Sequence, residues 1–241
     1  MKKLYFVVQV LICLFAGAGF AQARGTTLPQ ETVSARETTA TSAATAAPAS
    51  NFTLEGVCAK LSSKSNTTGS FTQTKNIKAN GRALKSYGKF IICPLGILWN
   101  TEKPFPSKMV LTKDTMAQTL ADGSKSVMNG KDNQIFENIS KTLSSVFSGN
   151  AEELKNIFTC TFQDKEAGSW KLILLPKDST IASVMKQLIL SGTITGDEKE
   201  NAILTSLEIS EQSGNSILYE FSNQKYPQEL TADEKLEFKI D

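Results

Sequence analysis

The chain has 241 residues, among them four cysteines and no histidine, and its 26 basic residues nearly balance 24 acidic ones. The missing histidine excludes Ser-His-Asp and Cys-His catalysis and every zinc site that needs an imidazole. Once Lys2 and Lys3 are set aside with a leader the charge is neutral, which leaves no electrostatic case for nucleic acid or an anionic membrane surface.

Lys2 and Lys3 precede an apolar run from Leu4 to Phe20 that only Gln9 interrupts, and Ala21-Gln22-Ala23 follows as a small-x-small signal. This predicts a cleavable signal peptide over residues 1–23, cut before Arg24, with Gly19-Phe20-Ala21 as a second option. Export to the periplasm follows. The competing reading is an uncleaved anchor, since the run just reaches across a bilayer. Cys13 is not a lipidation site, because Ile12 stands where a small residue is needed.

Residues 24–50 are mostly Thr, Ala and Ser, with two prolines and no aromatic residue. Such a stretch buries too little apolar surface to offset the entropy of ordering and reads as a tether. The folded domain is expected over 51–241. Asn51 is placed to cap a short helix that carries Leu54, Val57, Cys58 and Leu61 on one face.

Strands follow. Phe158, Cys160 and Phe162 alternate with polar residues, as do Ile203, Leu207 and Ile209, and then Ile217, Tyr219 and Phe221, although Leu218 falls on the polar side. Period-two patterns of this kind mark sheet with one buried face. Asn80-Gly81, Asp122-Gly123, Asn129-Gly130 and Gly214-Asn215 lie between the runs and predict antiparallel hairpins. Two apolar stripes at helical spacing interrupt: Ile135, Phe136, Ile139, Leu143, Val146 and Phe147 within 132–147, and a shorter one at Ile181, Val184, Met185 and Leu188. The count is about eleven strands and three helices.

No catalytic residue, metal site or cofactor motif emerges. Walker loop, dinucleotide fingerprint, Cys-x-x-Cys and Gly-x-Ser-x-Gly elbow are all missing. Carboxylates at Glu152-Glu153, Asp197-Glu198-x-Glu200 and Asp233-Glu234 read as solvated charge. Cys58 and Cys93, flanked by apolar residues, and Cys160, on the apolar side of an alternating run, read as buried thiols, and an odd number permits at most one disulfide among them.

The segment from Thr68 to Pro106 contains Gly69-Ser70-Phe71-Thr72-Gln73, Gly88-Lys89-Phe90, Pro94, Gly96-Ile97-Leu98-Trp99 and Lys103-Pro104-Phe105-Pro106. In order and separation these motifs resemble the LolA family of periplasmic lipoprotein carriers, through its Gly-x-Phe-x-Gln, its second Gly-x-Phe and its Pro-to-Trp stretch. The phrase from Leu98 to Pro106, with Gly168-Ser169-Trp170-Lys171-Leu172 and Pro176-Lys177-Asp178, is closest to a divergent LolA-related branch.

The resemblance implies a mainly β fold with α: an incomplete, highly curved antiparallel barrel of about eleven strands, its concave face covered by helices. It implies a non-enzymatic carrier of acylated lipoprotein or related lipid, a monomer. Its partners would be an inner-membrane ABC-type releasing complex and an outer-membrane acceptor. Phe71, Phe90, Ile97, Trp99, Phe136, Ile139, Leu143 and Phe147 are the candidate lining of its apolar cavity, and the 132–147 helix the candidate lid. Gly69, Gln73, Gly88, Cys93, Pro94 and Pro104 are the family-motif positions. One departure stands out: where the better-known carriers have an arginine before the proline, this chain has Cys93, and where they have an aromatic four residues on it has Ile97. A thiol offers one weak donor and cannot hold a lid as a guanidinium does.

Overall fold

The computed structural model describes residues 52–129, 145, 149–165, 168–195 and 201–240. The expected leader and tether lie outside them, as does the apolar stripe at Phe136, Ile139, Leu143 and Phe147. Eleven antiparallel strands form one curved open sheet. After helix α1 (Leu54–Ser62) come β1 (Thr67–Ile77), β2 (Arg82–Cys93), β3 (Gly96–Lys103), β4 (Ser107–Leu111), β5 (Thr115–Leu120) and β6 (Lys125–Asn129). Helix α2 (Ala151–Ile157) leads into β7 (Phe158–Asp164) and β8 (Ser169–Pro176), and the one-turn α3 (Ser179–Ala182) into β9 (Met185–Thr195). β10 (Asn201–Glu211), β11 (Ser216–Lys225) and α4 (Ala232–Leu236) end the chain. The sheet order is β6-β5-β4-β3-β2-β1-β11-β10-β9-β8-β7, so β1 meets β11 at the centre and β6 and β7 are the edges.

Three turn signals sit in hairpins, joining β1 to β2, β5 to β6 and β10 to β11; the fourth reaches Gly130, beyond the described residues. The two Gly-x-Phe motifs explain each other. In the β1–β2 register Gly69 faces Phe90 and Phe71 faces Gly88. A Cβ on Gly69 would sit 2.8 Å from the Phe90 ring, and one on Gly88 would sit 2.6 Å from the Phe71 ring and 2.1 Å from the Asn100 carbonyl oxygen. Each ring thus packs against the opposite glycine, a cross-strand pairing that pins the register. Trp170 lies over Gly192 in the same way on β8 and β9.

Three local expectations are corrected. Thr53, not Asn51, caps α1, its Oγ accepting from Gly56 N at 3.1 Å. The stripe from Ile181 to Leu188 is helical for one turn only: Asp178 caps α3, and Met185 and Leu188 are buried in β9. Ile203 does not share a face with Leu207 and Ile209, because a bulge between Leu204 and Ser206 reverses the alternation. Ala202 and Leu204 turn to the core instead.

Both faces of the sheet carry an apolar cluster. On one face α1, α2 and α3 contribute Leu54, Val57, Leu154 and Ile181 to a large core with Phe71, Trp99, Leu174, Leu190 and Tyr219. The opposite face of β2, β3 and β4 carries Ile91, Leu98 and Val110, covered by Leu230 and Phe238 of the C-terminal segment. The Asn66 amide fastens that segment by donating to the Pro227 and Gln228 carbonyls at 3.1 and 2.9 Å.

Candidate functional site

The helix-covered core is organised around aromatic rings. Phe71 stacks on Trp99 at 4.6 Å between centroids, and Tyr219 meets Trp99 edge-on at 5.1 Å. Phe90 continues the series beside Trp99 at 5.7 Å, and Phe221 meets Phe90 edge-on at 5.2 Å. Each such pair adds about 0.5–1.5 kcal/mol beyond its buried area. Phe71, Trp99 and Tyr219 are buried, whereas Phe221 is only half-buried, so the series runs from the interior towards solvent.

At that outer end a cleft opens. Its apolar wall is Leu61 from α1, Phe90 and Ile92 from β2, Ala202 and Leu204 from β10, and Phe221 from β11. Lys64, Thr67, Gln224 and Tyr226 form its polar side. The cleft is narrow, about 40 Å³. That is room for a few waters, well short of the several hundred Å³ of a site that encloses a whole ligand.

Two irregularities shape this corner. The β10 bulge turns Ala202 and Leu204 inward, and β11 breaks register against β1 beside Asn223, whose φ is 53°. Gln224 ties the two breaks together, its Nε2 donating to the Leu204 carbonyl at 2.7 Å while its Oε1 accepts from Tyr226 Oη at 3.1 Å. The Lys64 ammonium donates to the Ala202 carbonyl at 2.6 Å and lies 3.8 Å from the centre of the Tyr226 ring. Burial holds the Lys64 amine below the ordinary lysine range. No described carboxylate makes an ion pair with it. Burial also raises the Tyr226 phenol above its usual value.

Of the sequence-derived candidates, Phe90 forms part of the cleft wall, and Phe71, Ile97 and Trp99 lie in the core behind it. Phe136, Ile139, Leu143 and Phe147 lie outside the described residues. Gly149 lies against α1, where a Cβ would sit 2.5 Å from the Cys58 carbonyl oxygen and 3.1 Å from Leu61 Cβ. Gln73 is buried on the Phe71 face, Pro94 is exposed in the β2–β3 turn and Pro104 is exposed in the β3–β4 connection. Cys93 packs against the opposite apolar cluster, away from the cleft. Of the two cations on β2, Lys89 pairs with Glu102 at 3.1 Å and Arg82 is exposed, and neither lines the cleft. Sequence reasoning missed Lys64, Leu204 and Gln224. Two of them depend on bulges, and the third follows a helix end whose direction only the fold sets.

Chemically the corner offers an apolar wall, a cationic donor and fixed amides. The described residues contain no cluster of metal-ligating side chains. Cys58, Cys93 and Cys160 are free, and burial pushes the Cys58 thiol up to about 11, the opposite of an activated nucleophile.

Residues 62–241 match the family model described as outer membrane lipoprotein carrier protein LolA. No curated protein matches the chain in sequence. Among solved structures it is similar to a LolA superfamily protein from Nitrosomonas europaea, at 7% identity over 76% of this chain and 96% of that one, with a TM-score of 0.43. It is similar to the lipoprotein LppX of Mycobacterium tuberculosis at 12% identity, over 74% of this chain and 98% of that one, with a TM-score of 0.39. A DUF1329 family protein from Desulfovibrio piger aligns at 10% identity, over 74% of this chain and 92% of that one, with a TM-score of 0.44.

Proposed function

This chain belongs to the LolA family of outer membrane lipoprotein carrier proteins, and we propose on that premise that it shields acyl chains of lipoprotein or related lipid cargo across the periplasm. The observation that carries this reading is the aromatic core reaching the surface at Phe90 and Phe221, where a narrow apolar cleft stands open beside α1. A sixteen-carbon chain presents on the order of 11 kcal/mol of unfavourable apolar surface to water, at about 0.8 kcal/mol per CH₂. A protein that hides it needs an apolar space and no catalytic group.

The narrow cleft is the resting form in this reading, and cargo widens it by displacing α1. Phe136, Ile139, Leu143 and Phe147 close over the acyl chain. Residues 1–23 direct export, residues 24–50 space the domain, and residues 51–241 do the carrying. Delivery runs from an inner-membrane releasing complex to an outer-membrane acceptor.

Cys93 makes the carrier a specialised one. The family's arginine is replaced by a thiol that packs on the far side of the sheet, so release is controlled by other groups. Expressed in place of a host's general lipoprotein carrier, the chain should not sustain growth. Native mass spectrometry of protein purified from its own host is the direct test, with an acylated molecule bound at one per chain as the expected result. An empty protein that also fails to bind a fluorescent acyl probe would refute the reading.

A further inference from the structure

Resting on the carrier reading, the geometry of the cleft mouth points to a headgroup preference: we propose that Lys64 anchors the anionic oxygen group, carboxylate or phosphate, of a single-chain amphiphile whose tail enters between Phe90 and Leu204.

The polar rim is already assembled. Gln224 spends one of its two amide N–H donors on the Leu204 carbonyl and accepts with its own carbonyl from Tyr226. The Tyr226 ring is set against the Lys64 ammonium. An ammonium has three N–H donors, and one of those on Lys64 is used on the Ala202 carbonyl. Of the described groups on this rim, Lys64 alone carries a charge, and it retains donor capacity.

A partly buried ammonium with no carboxylate partner among the described residues is costly to keep charged, and its amine is held below the ordinary range accordingly. An arriving anion removes that cost and gains a charge-assisted hydrogen bond. A neutral ester gains the hydrogen bond alone. The apolar wall begins beside this cation, since Ala202 supplies the Lys64 acceptor and also lines the cleft. Head and tail positions thus adjoin. The cation near the cargo is placed by the end of α1 rather than by the end of β2, where Cys93 stands.

The test compares laurate, dodecyl phosphate and methyl laurate as competitors of a fluorescent acyl probe on the full chain, in wild type and in K64Q and K64R. Wild type should bind at least one of the two anions about tenfold more tightly than methyl laurate. K64Q should lose that preference, binding both anions about as it binds methyl laurate, and K64R should keep it. A preference for laurate alone assigns a carboxylate cargo, and one for dodecyl phosphate alone a phosphate cargo. Equal binding of all three, or a preference that survives in K64Q, overturns the anchor and leaves the carrier reading intact. Failure of every competitor and of the probe itself overturns both. Where K64Q does not fold, the Nζ resonance of Lys64 in wild type decides: it moves further with an anion than with methyl laurate, and an Nζ resonance that responds to neither anion, or equally to the ester, refutes the proposal.

Discussion

On β2, Phe90 and Ile92 reach the cleft while Ile91 and Cys93, their sequence neighbours, lie against the opposite apolar cluster. The same strand therefore serves two faces that close differently. The far face is a small aliphatic patch sealed by Leu230 and Phe238 and fastened through Asn66. The near face is larger and aromatic, and is incompletely sealed at one corner. The difference teaches where cargo can enter. A patch covered by its own chain terminus is a packing solution. Under the proposed carrier function, rings that run out to a half-buried Phe221, beside a cation with no described carboxylate partner, make the face through which cargo enters.

The largest effect should come from the element both faces share. Gly88→Val drives branched carbon into the Asn100 carbonyl and the Phe71 ring, which lie only 2.1 and 2.6 Å from where a Cβ would sit. A loss of about 3 kcal/mol or more is expected in urea unfolding, because neither backbone nor packed ring can yield. Phe238→Ala separates the faces. It should cost about 3 kcal/mol through the cavity it leaves, yet acyl-probe affinity should stay within about twofold, since the tail side of the sheet is untouched. A large affinity loss in a folded F238A protein would mean that the far face also carries cargo.

Next in size is the reactivity of Cys58, on the side of α1 that is buried against the near face. Burial raises its thiol from 9.0 to about 11. At pH 8 the native protein should therefore alkylate there about 100-fold more slowly than the unfolded chain, since the thiolate is the nucleophile. The sign for stability follows. A folded pKa above the unfolded one contributes stability that is fully present below pH 9 and is lost as pH rises towards 11. Rapid alkylation of native Cys58 would show that α1 lifts readily without cargo.

How much of this the sequence carried differs by region. The strands and three hairpin turns were legible because each is a local pattern with one physical cause, alternation or turn chemistry, whereas the Gly-x-Phe motifs were legible only as a family resemblance and their pairing across β1 and β2 came from the register. Alternation misplaces Ile203 because a bulge of one residue inverts it and leaves no mark in composition. The short stripe at Ile181 through Leu188 satisfies helical spacing and strand burial together, and Asp178 caps only one turn. The two faces of β2 and β3 could not be separated, since Phe90-Ile91-Ile92-Cys93 and Ile97-Leu98-Trp99 are apolar without interruption, as buried-on-both-sides strands are. Lys64 looks like any surface lysine, because its burial comes from Ala202 and Tyr226, far away in sequence.

A smaller change tests the near face alone. Ile92→Asn places an amide on the half-buried cleft wall, where an acyl chain has nothing to offer it. Acyl-probe affinity should fall about tenfold for a stability cost of about 1 kcal/mol, the reverse of the F238A pattern. An unaltered affinity would place cargo elsewhere on the sheet.

The smallest effect is expected at an ion pair that spans the far face. Lys108 on β4 meets Glu237, just past α4, at 2.6 Å, and both side chains are 42% exposed. Exposed pairs of this kind contribute about 0.5 kcal/mol, because water screens the attraction and two long side chains lose freedom to make it. The C-terminal segment has stronger attachments in buried Leu230 and Phe238 and in the two Asn66 bonds. A double-mutant cycle with K108A and E237A should therefore give a coupling of about 0.5 kcal/mol that fades at about 1 M salt, where the screening length shrinks to a few ångströms. A coupling several times larger, insensitive to salt, would mean that the segment is latched electrostatically. The far face would then be a second releasable surface, and the contrast between a sealed face and an accepting one would no longer hold.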